Sequence, residues 1–106
     1  MNKWNIPDLL EEKVRKRDLF CVYCRVKLKY HPKRGEYKIK ATWEHIDNDI
    51  KNISEFNIVR CCNSCNASKG VKNLVDWFNS SYCDKKDINK KTVADIIKKN
   101  LNFIIK

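Results

Sequence analysis

The side chains of this sequence that could do chemistry are concentrated between Trp43 and Gly70, in the run WEHIDNDIKNISEFNIVRCCNSCNASKG. Glu44 precedes His45, Asn57 follows twelve positions later, and a CxxC pair, Cys62 and Cys65, leads directly into Asn66 and then Lys69. A carboxylate beside an imidazole can hold a cation and take a proton from water, because histidine titrates near neutrality, at about pH 6.5. Thiolates at CxxC spacing present two sulfurs to one ion. The run therefore points to metal-assisted hydrolysis next to a structural zinc knot.

Six cysteines are present, and four form two CxxC pairs, Cys21/Cys24 and Cys62/Cys65, while Cys61 and Cys83 stand apart. With no secretory signal at the N-terminus, two such pairs predict a tetrahedral zinc site in preference to a disulfide frame. The 37 residues from Arg25 through Cys61 exceed the usual spacer of a self-contained zinc ribbon. One ion would then clamp both ends of a longer insert that carries Glu44, His45 and Asn57. Four thiolates close the coordination sphere, so this zinc holds structure and stays out of the reaction. Such a site can contribute about 10 kcal/mol or more of folding free energy. The duller reading makes Cys62 and Cys65 ordinary core cysteines. Cys61 could exchange with Cys62 as a ligand, but the pairing favours Cys62 and leaves Cys61 a buried thiol; Cys83 reads as a free cysteine.

The elements that must position these groups are few. At 106 residues the chain predicts one small domain, and its net charge of +10, from 23 Lys+Arg against 13 Asp+Glu, predicts a polyanionic partner. No apolar run approaches the length of a membrane span and no lipidation pattern opens the chain, so the expectation is a cytoplasmic protein with no membrane partner. Pro7 through Arg17 reads as a helix, with acids first and bases last. Arg25-Val-Lys-Leu-Lys-Tyr30 alternates basic and apolar residues, the period of a half-buried strand. A turn at His31–Gly35 and a second strand over Tyr37–Ile46 would complete a basic hairpin. Residues 47–55 read as a loop and Phe56–Arg60 as a short strand. A helix capped by Asn63 or Ser64 and closed by Gly70 follows, then one over Leu74–Ser80 and a last one starting at the capping-box-like Thr92-Val-Ala-Asp95. The expected class is α+β: residues 1–20 an N-terminal helix, 21–70 a zinc-bracketed ββα core, and 71–106 C-terminal helices.

Together Glu44-His45-Ile46, Asn57-Ile58-Val59 and Cys62-Asn-Ser-Cys65-Asn66-Ala-Ser-Lys69-Gly70 resemble the HNH endonucleases, the ββα-metal nucleases, in the subtype bracketed by a four-cysteine zinc site. The resemblance covers Cys21 to Gly70, about half of the chain. It implies a DNA endonuclease with His45 as general base and with Glu44 and Asn66 as ligands of a catalytic Mg2+ or Mn2+. It further implies that Asn57 ties the loop to the strands and that Lys69 touches a phosphate. The sequence departs from the family at Glu44, one methylene longer than the usual Asp, and at Asn66, where the name-giving motif has His. An amide oxygen there suits a hard ion. The proline often found after the acid-His pair is absent, and Asp47 and Asp49 offer themselves as alternative ligands.

Beside that motif, Arg25, Lys27, Lys29, Lys33, Arg34, Lys38 and Lys40 read as a DNA-contacting face, with a merely solvated face as the alternative. His31 reads as an exposed turn residue, and Trp4, Trp43 and Trp77 as core. Strand neighbours point to opposite faces, so Glu44 and His45 reach one site only where the strand ends or bends. The competing function is a zinc-stabilised nucleic-acid-binding module without hydrolysis. Double-stranded DNA is the favoured partner, and since one site cuts one strand, a homodimer, two sequential nicks or a partner protein would be needed to cut both.

Overall fold

The computed structural model describes residues 4–104, with side chains to residue 102, and its centre is one pair of antiparallel strands. Strand β1, Ala41–His45, pairs with β2, Ile58–Cys62, in a register that sets Ala41 opposite Cys62, Trp43 opposite Arg60 and His45 opposite Ile58. Both strands are rich in the β-branched and aromatic residues that suit a pleated surface. Every residue of β2 is buried, so elements pack on both of its faces. Helix α1, Asp8–Arg17, lies against β2, and helix α2, Asn63–Lys69, continues directly from β2 and packs on both strands. Short helices α3, Leu74–Phe78, and α4, Ser81–Lys86, then lead to α5, Asp95–Ile104. The class is α+β, as expected.

Several boundaries differ from the sequence expectation. Arg25–Tyr30 forms no strand: it makes only isolated bridges, Phe20 with Lys27 and Lys29 with Lys40. The Cys21–Cys24 turn immediately before it puts Arg25 in the left-handed region, φ 69°, and breaks the extended run at its first residue. The alternation still sorts the side chains, burying Leu28 and exposing Lys27 and Lys29. Tyr37–Ile39 is a turn of 3-10 helix, which shortens the second run to β1. The sheet is therefore β1 with β2 across a long loop, in place of a tight basic hairpin. Phe56 and Asn57 belong to a turn closed by the Asn57 and Ile58 amides on the Ser54 carbonyl, so β2 starts two residues later than Phe56 and runs on to Cys62. Cys62 itself caps α2, and Gly70 ends it at φ 52°. Helix α4, capped by Ser80, has no counterpart in the sequence expectation. Thr92 belongs to a turn with Asn89, and α5 begins only at Asp95.

Two apolar clusters flank the sheet. The larger gathers Tyr23, Leu74, Trp77 and Ile97 around the cysteines, and the smaller joins Ile6, Val14 and Ile58 with Trp4 and Trp43 packed against them. Trp77 is fully buried and Trp4 and Trp43 partly so. Between α1 and β2 lies a polar anchor. Buried Asp18 accepts the Arg60 amide at 3.0 Å and takes both arms of Arg17 at 2.8 Å, while Arg17 also donates to the Ile58 carbonyl. The buried Arg60 guanidinium lies over the Trp43 ring at 4.2 Å and the Tyr30 ring at 5.1 Å, a cation–π arrangement. Removing Asp18 would leave a buried amide without an acceptor. Asp18→Ala is expected to lower the unfolding free energy by about 2–3 kcal/mol. Urea denaturation checks this, and a loss below about 0.5 kcal/mol would place Asp18 among ordinary surface substitutions.

Candidate functional site

The two CxxC pairs meet. The Sγ atoms of Cys21, Cys24, Cys62 and Cys65 all lie within 4.8 Å of one another, with Cys24 and Cys62 at 3.7 Å. A tetrahedral ion with metal–sulfur distances of about 2.3 Å requires sulfur separations of about 3.8 Å. The cluster could thus hold a metal ion such as zinc. Each pair is shaped the same way: the Cys24 amide faces Cys21 Sγ at 3.5 Å and the Cys65 amide faces Cys62 Sγ at 3.4 Å. The first pair is fastened to the second through the Val22 amide on the Arg60 carbonyl of β2. Tyr82 of α4 adds its hydroxyl to Cys65 Sγ at 3.3 Å. Hydrogen bonding among the sulfurs drives the Cys21 and Cys65 thiols up and the Cys24 and Cys62 thiols down. A metal ion bound there would take the sulfurs as thiolates and displace their protons.

Cys61 lies outside the cluster, buried beside Thr42 Oγ1 at 3.5 Å, and burial raises its thiol. Cys83 is also buried and likewise raised by burial. No disulfide joins any of the six.

At the other end of β1, Glu44 and His45 are 6% and 5% exposed. Trp43, Glu44, His45, Asn48 and Asn66 line one cleft of about 180 Å³ with Trp4, and the exposed side chains of Ile50 and Val71 stand at its rim. The chain turns away at this point, with the Asn48 amide on the His45 carbonyl, so the two strand neighbours both border the cleft. Trp4 meets the His45 ring edge-on at 5.3 Å. Asn66 donates its side-chain amide to Thr42 Oγ1 at 3.0 Å and to the Trp43 carbonyl at 3.1 Å, which commits its nitrogen to β1 and leaves Oδ1 for a ligand. Buried Asn57 accepts the Asp47 amide at 3.0 Å and donates to the Asn52 carbonyl at 2.9 Å, stapling the loop between the strands. Asp47 and Asp49 are exposed and turn their oxygens to the Asp49 amide, Asn52 and the Lys51 amide within the same loop. Neither lines the cleft.

Electrostatics distinguish the two central groups. Burial raises the Glu44 carboxyl, opposed by the nearby Lys69 ammonium. Burial lowers the His45 imidazole, opposed by the charges of Asp47 and Asp49. A neutral imidazole can accept a proton. Among the described residues His45 Nε2 is buried without a hydrogen-bond partner, an uncommon condition for a polar atom, and Glu44 Oε2 has only the Lys69 ammonium, at 3.5 Å. The carboxylate and the Asn66 oxygen are hard donors that fit a small divalent cation.

Lys69 departs from the expectation of a phosphate contact, because its side chain is fully buried. Its Nζ lies 3.5 Å from Glu44 Oε2 and donates to Asn48 Oδ1 at 2.9 Å. Arg25, Lys27, Lys29, Lys33, Arg34, Lys38 and Lys40 are all exposed, on an irregular segment rather than a hairpin, and none lines the cleft. His31 is exposed as well. Sequence reasoning missed Asn48, which adopts φ 64°, and the packing of Trp4 on His45. Asparagine tolerates that backbone region better than most residues, and this was the one available signal for it.

No family model, curated protein or solved structure matches the chain. Among the described residues no helix is long and apolar enough to cross a membrane. The sulfur geometry leads to a direct expectation: the purified protein binds one zinc ion, Cys24→Ser loses it, and Cys61→Ser keeps it. Metal content by atomic emission, with far-ultraviolet circular dichroism before and after chelation, reads this out. Equal zinc loss from both variants would contradict the four-sulfur assignment.

Proposed function

We propose that this chain is a divalent-metal-dependent endonuclease of the HNH type that hydrolyses phosphodiester bonds in DNA. The observation that carries the reading is the meeting of Glu44, His45 and Asn66 at one cleft, at the opposite end of β1 from the four-cysteine cluster. Neutral His45 takes a proton from water as the water oxygen bonds to phosphorus, and the bond from phosphorus to the leaving sugar oxygen breaks. Glu44 and Asn66 would hold Mg2+ or Mn2+, which when bound supplies positive charge against the developing charge on the phosphate. Asn57 keeps the loop that begins after His45 closed onto itself, and Trp4 supports the imidazole ring from the side. The exposed basic segment, Arg25 to Lys40, holds the polyanion, and the +10 net charge draws it in.

One observation favours a second reading, a zinc-stabilised nucleic-acid-binding module without hydrolysis. The buried Lys69 ammonium lies 3.5 Å from Glu44 Oε2 and can balance its charge in place of a divalent ion. A plasmid-nicking assay separates the two. Zinc-loaded protein is expected to nick supercoiled DNA with Mg2+ or Mn2+, and His45→Ala to slow nicking by about 100- to 10,000-fold. Binding without products under either ion would support the module, and undiminished cutting by His45→Ala would remove His45 from the base role. Running RNA alongside DNA tests the substrate.

A further inference from the structure

We infer that Lys69 is a positioning residue, which aims the Glu44 carboxylate and locks one wall of the cleft, in place of the phosphate contact its position in the motif implies. The inference rests on the nuclease reading above. A buried ammonium is costly unless it is paired, and the partners of Lys69 all belong to the site. Its Nζ sits 3.5 Å from Glu44 Oε2 on β1 and donates to Asn48 Oδ1, in the turn after His45, at 2.9 Å. Asn48 in turn donates its amide to the Val71 carbonyl at 3.0 Å and the Lys72 carbonyl at 3.3 Å, just beyond α2. One ammonium thereby joins the three segments that border the cleft: the end of β1, the turn after it and the exit from α2.

Helix α2 supports this assignment through its spacing. Asn66 and Lys69 are three residues apart and so share a face of the helix, and both reach β1. The first borders the cleft with its nitrogen committed to β1, and the second holds the carboxylate that completes the donor set. With no exposed surface, the ammonium has no path to a phosphate outside the protein.

The same charge has a second consequence. Lys69 and a divalent ion are like charges served by one carboxylate, so the ammonium weakens ion binding while it secures the geometry. Loss of Lys69 then moves affinity and turnover in opposite directions, whereas damage to the fold would weaken both. In zinc-loaded Lys69→Met, Mn2+ followed by its paramagnetic resonance signal is expected to bind about tenfold more tightly. Nicking is expected to slow by about 10- to 100-fold, the scale of a misplaced catalytic group. In a Glu44→Gln background, adding Lys69→Met is expected to tighten Mn2+ binding by clearly less than tenfold, because only the direct repulsion of the ion is then removed and no carboxylate is freed.

The pair Glu44→Gln and Glu44→Gln/Lys69→Met also carries the test if Lys69→Met alone does not fold, since in the first Lys69 keeps Asn48 and an amide oxygen as acceptors and in the second neither member of the ion pair remains. Binding of a short duplex in chelator, across a salt series, should be the same for both. Weaker duplex binding with a shallower salt dependence in the double variant would restore the phosphate contact and overturn the inference. Weaker Mn2+ binding and slower nicking together in Lys69→Met would overturn it too, as would wild-type behaviour in both assays. If wild-type protein neither binds Mn2+ nor nicks DNA, the nuclease reading falls first and takes this inference with it.

Discussion

The convergence of four sulfur atoms is the constraint on which the remainder of this fold depends. It fastens the turn at Cys21–Cys24 to the junction of β2 and α2, across a separation of 38 residues between Cys24 and Cys62. A two-stranded sheet is marginal by itself, and a seven-residue helix is too short to persist in water. Cys62 ends one and caps the other, so the same residue terminates the strand, starts the helix and supplies a sulfur. An ion bound there would stabilise all three at once.

From that junction α2 distributes its side chains by helical geometry. Cys65 turns to the sulfur cluster, Asn66 to β1 and the cleft, and Lys69 to the buried Glu44. The structural centre and the candidate hydrolytic cleft are therefore ends of one short rigid piece. Any movement of the sulfurs is transmitted to Asn66 and Lys69 within one or two turns of helix. An ion bound by the four sulfurs could steady the cleft while remaining closed to any ligand there.

The domain also buries an unusual set of polar groups for its size: Asp18, Glu44, His45, Asn57, Arg60 and Lys69. They divide by role. Asp18 and Arg60 sit where α1 meets β2, with Asp18 answered by the Arg60 amide and Arg17, and the Arg60 guanidinium by the Trp43 and Tyr30 rings. Asn57 is answered within its loop. Glu44 and His45 alone among these six line the cleft, and His45 Nε2 has no hydrogen-bond partner among the described residues. An orphaned donor or acceptor is expensive inside a protein, and one facing a cavity can be satisfied by what enters it. This separates the candidate site from the structural polar groups better than residue type does.

The sequence by itself determined the two CxxC pairs and their union, the course of α1, the closure of α2 at Gly70, and the set Glu44, His45 and Asn66. These follow from spacing and local chemistry: a CxxC turn, a charge-ordered helix and a left-handed glycine need no distant partner to be read. Tertiary structure alone decided which strands pair, because the Arg25–Tyr30 alternation was overridden by the turn at Cys21–Cys24 and survived only as a pattern of burial. It also decided the side on which Lys69 would lie. A lysine at the end of a short polar helix reads as solvated, and only the approach of Glu44 and Asn48, from 25 and 21 residues earlier in the chain, supplies partners that make burial tolerable. Glu44 and His45 border one cleft for a comparable reason: the strand ends where they stand, and the loop that ends it is held by Asn48 and Asn57. Local periodicity cannot express such pairings between distant charges.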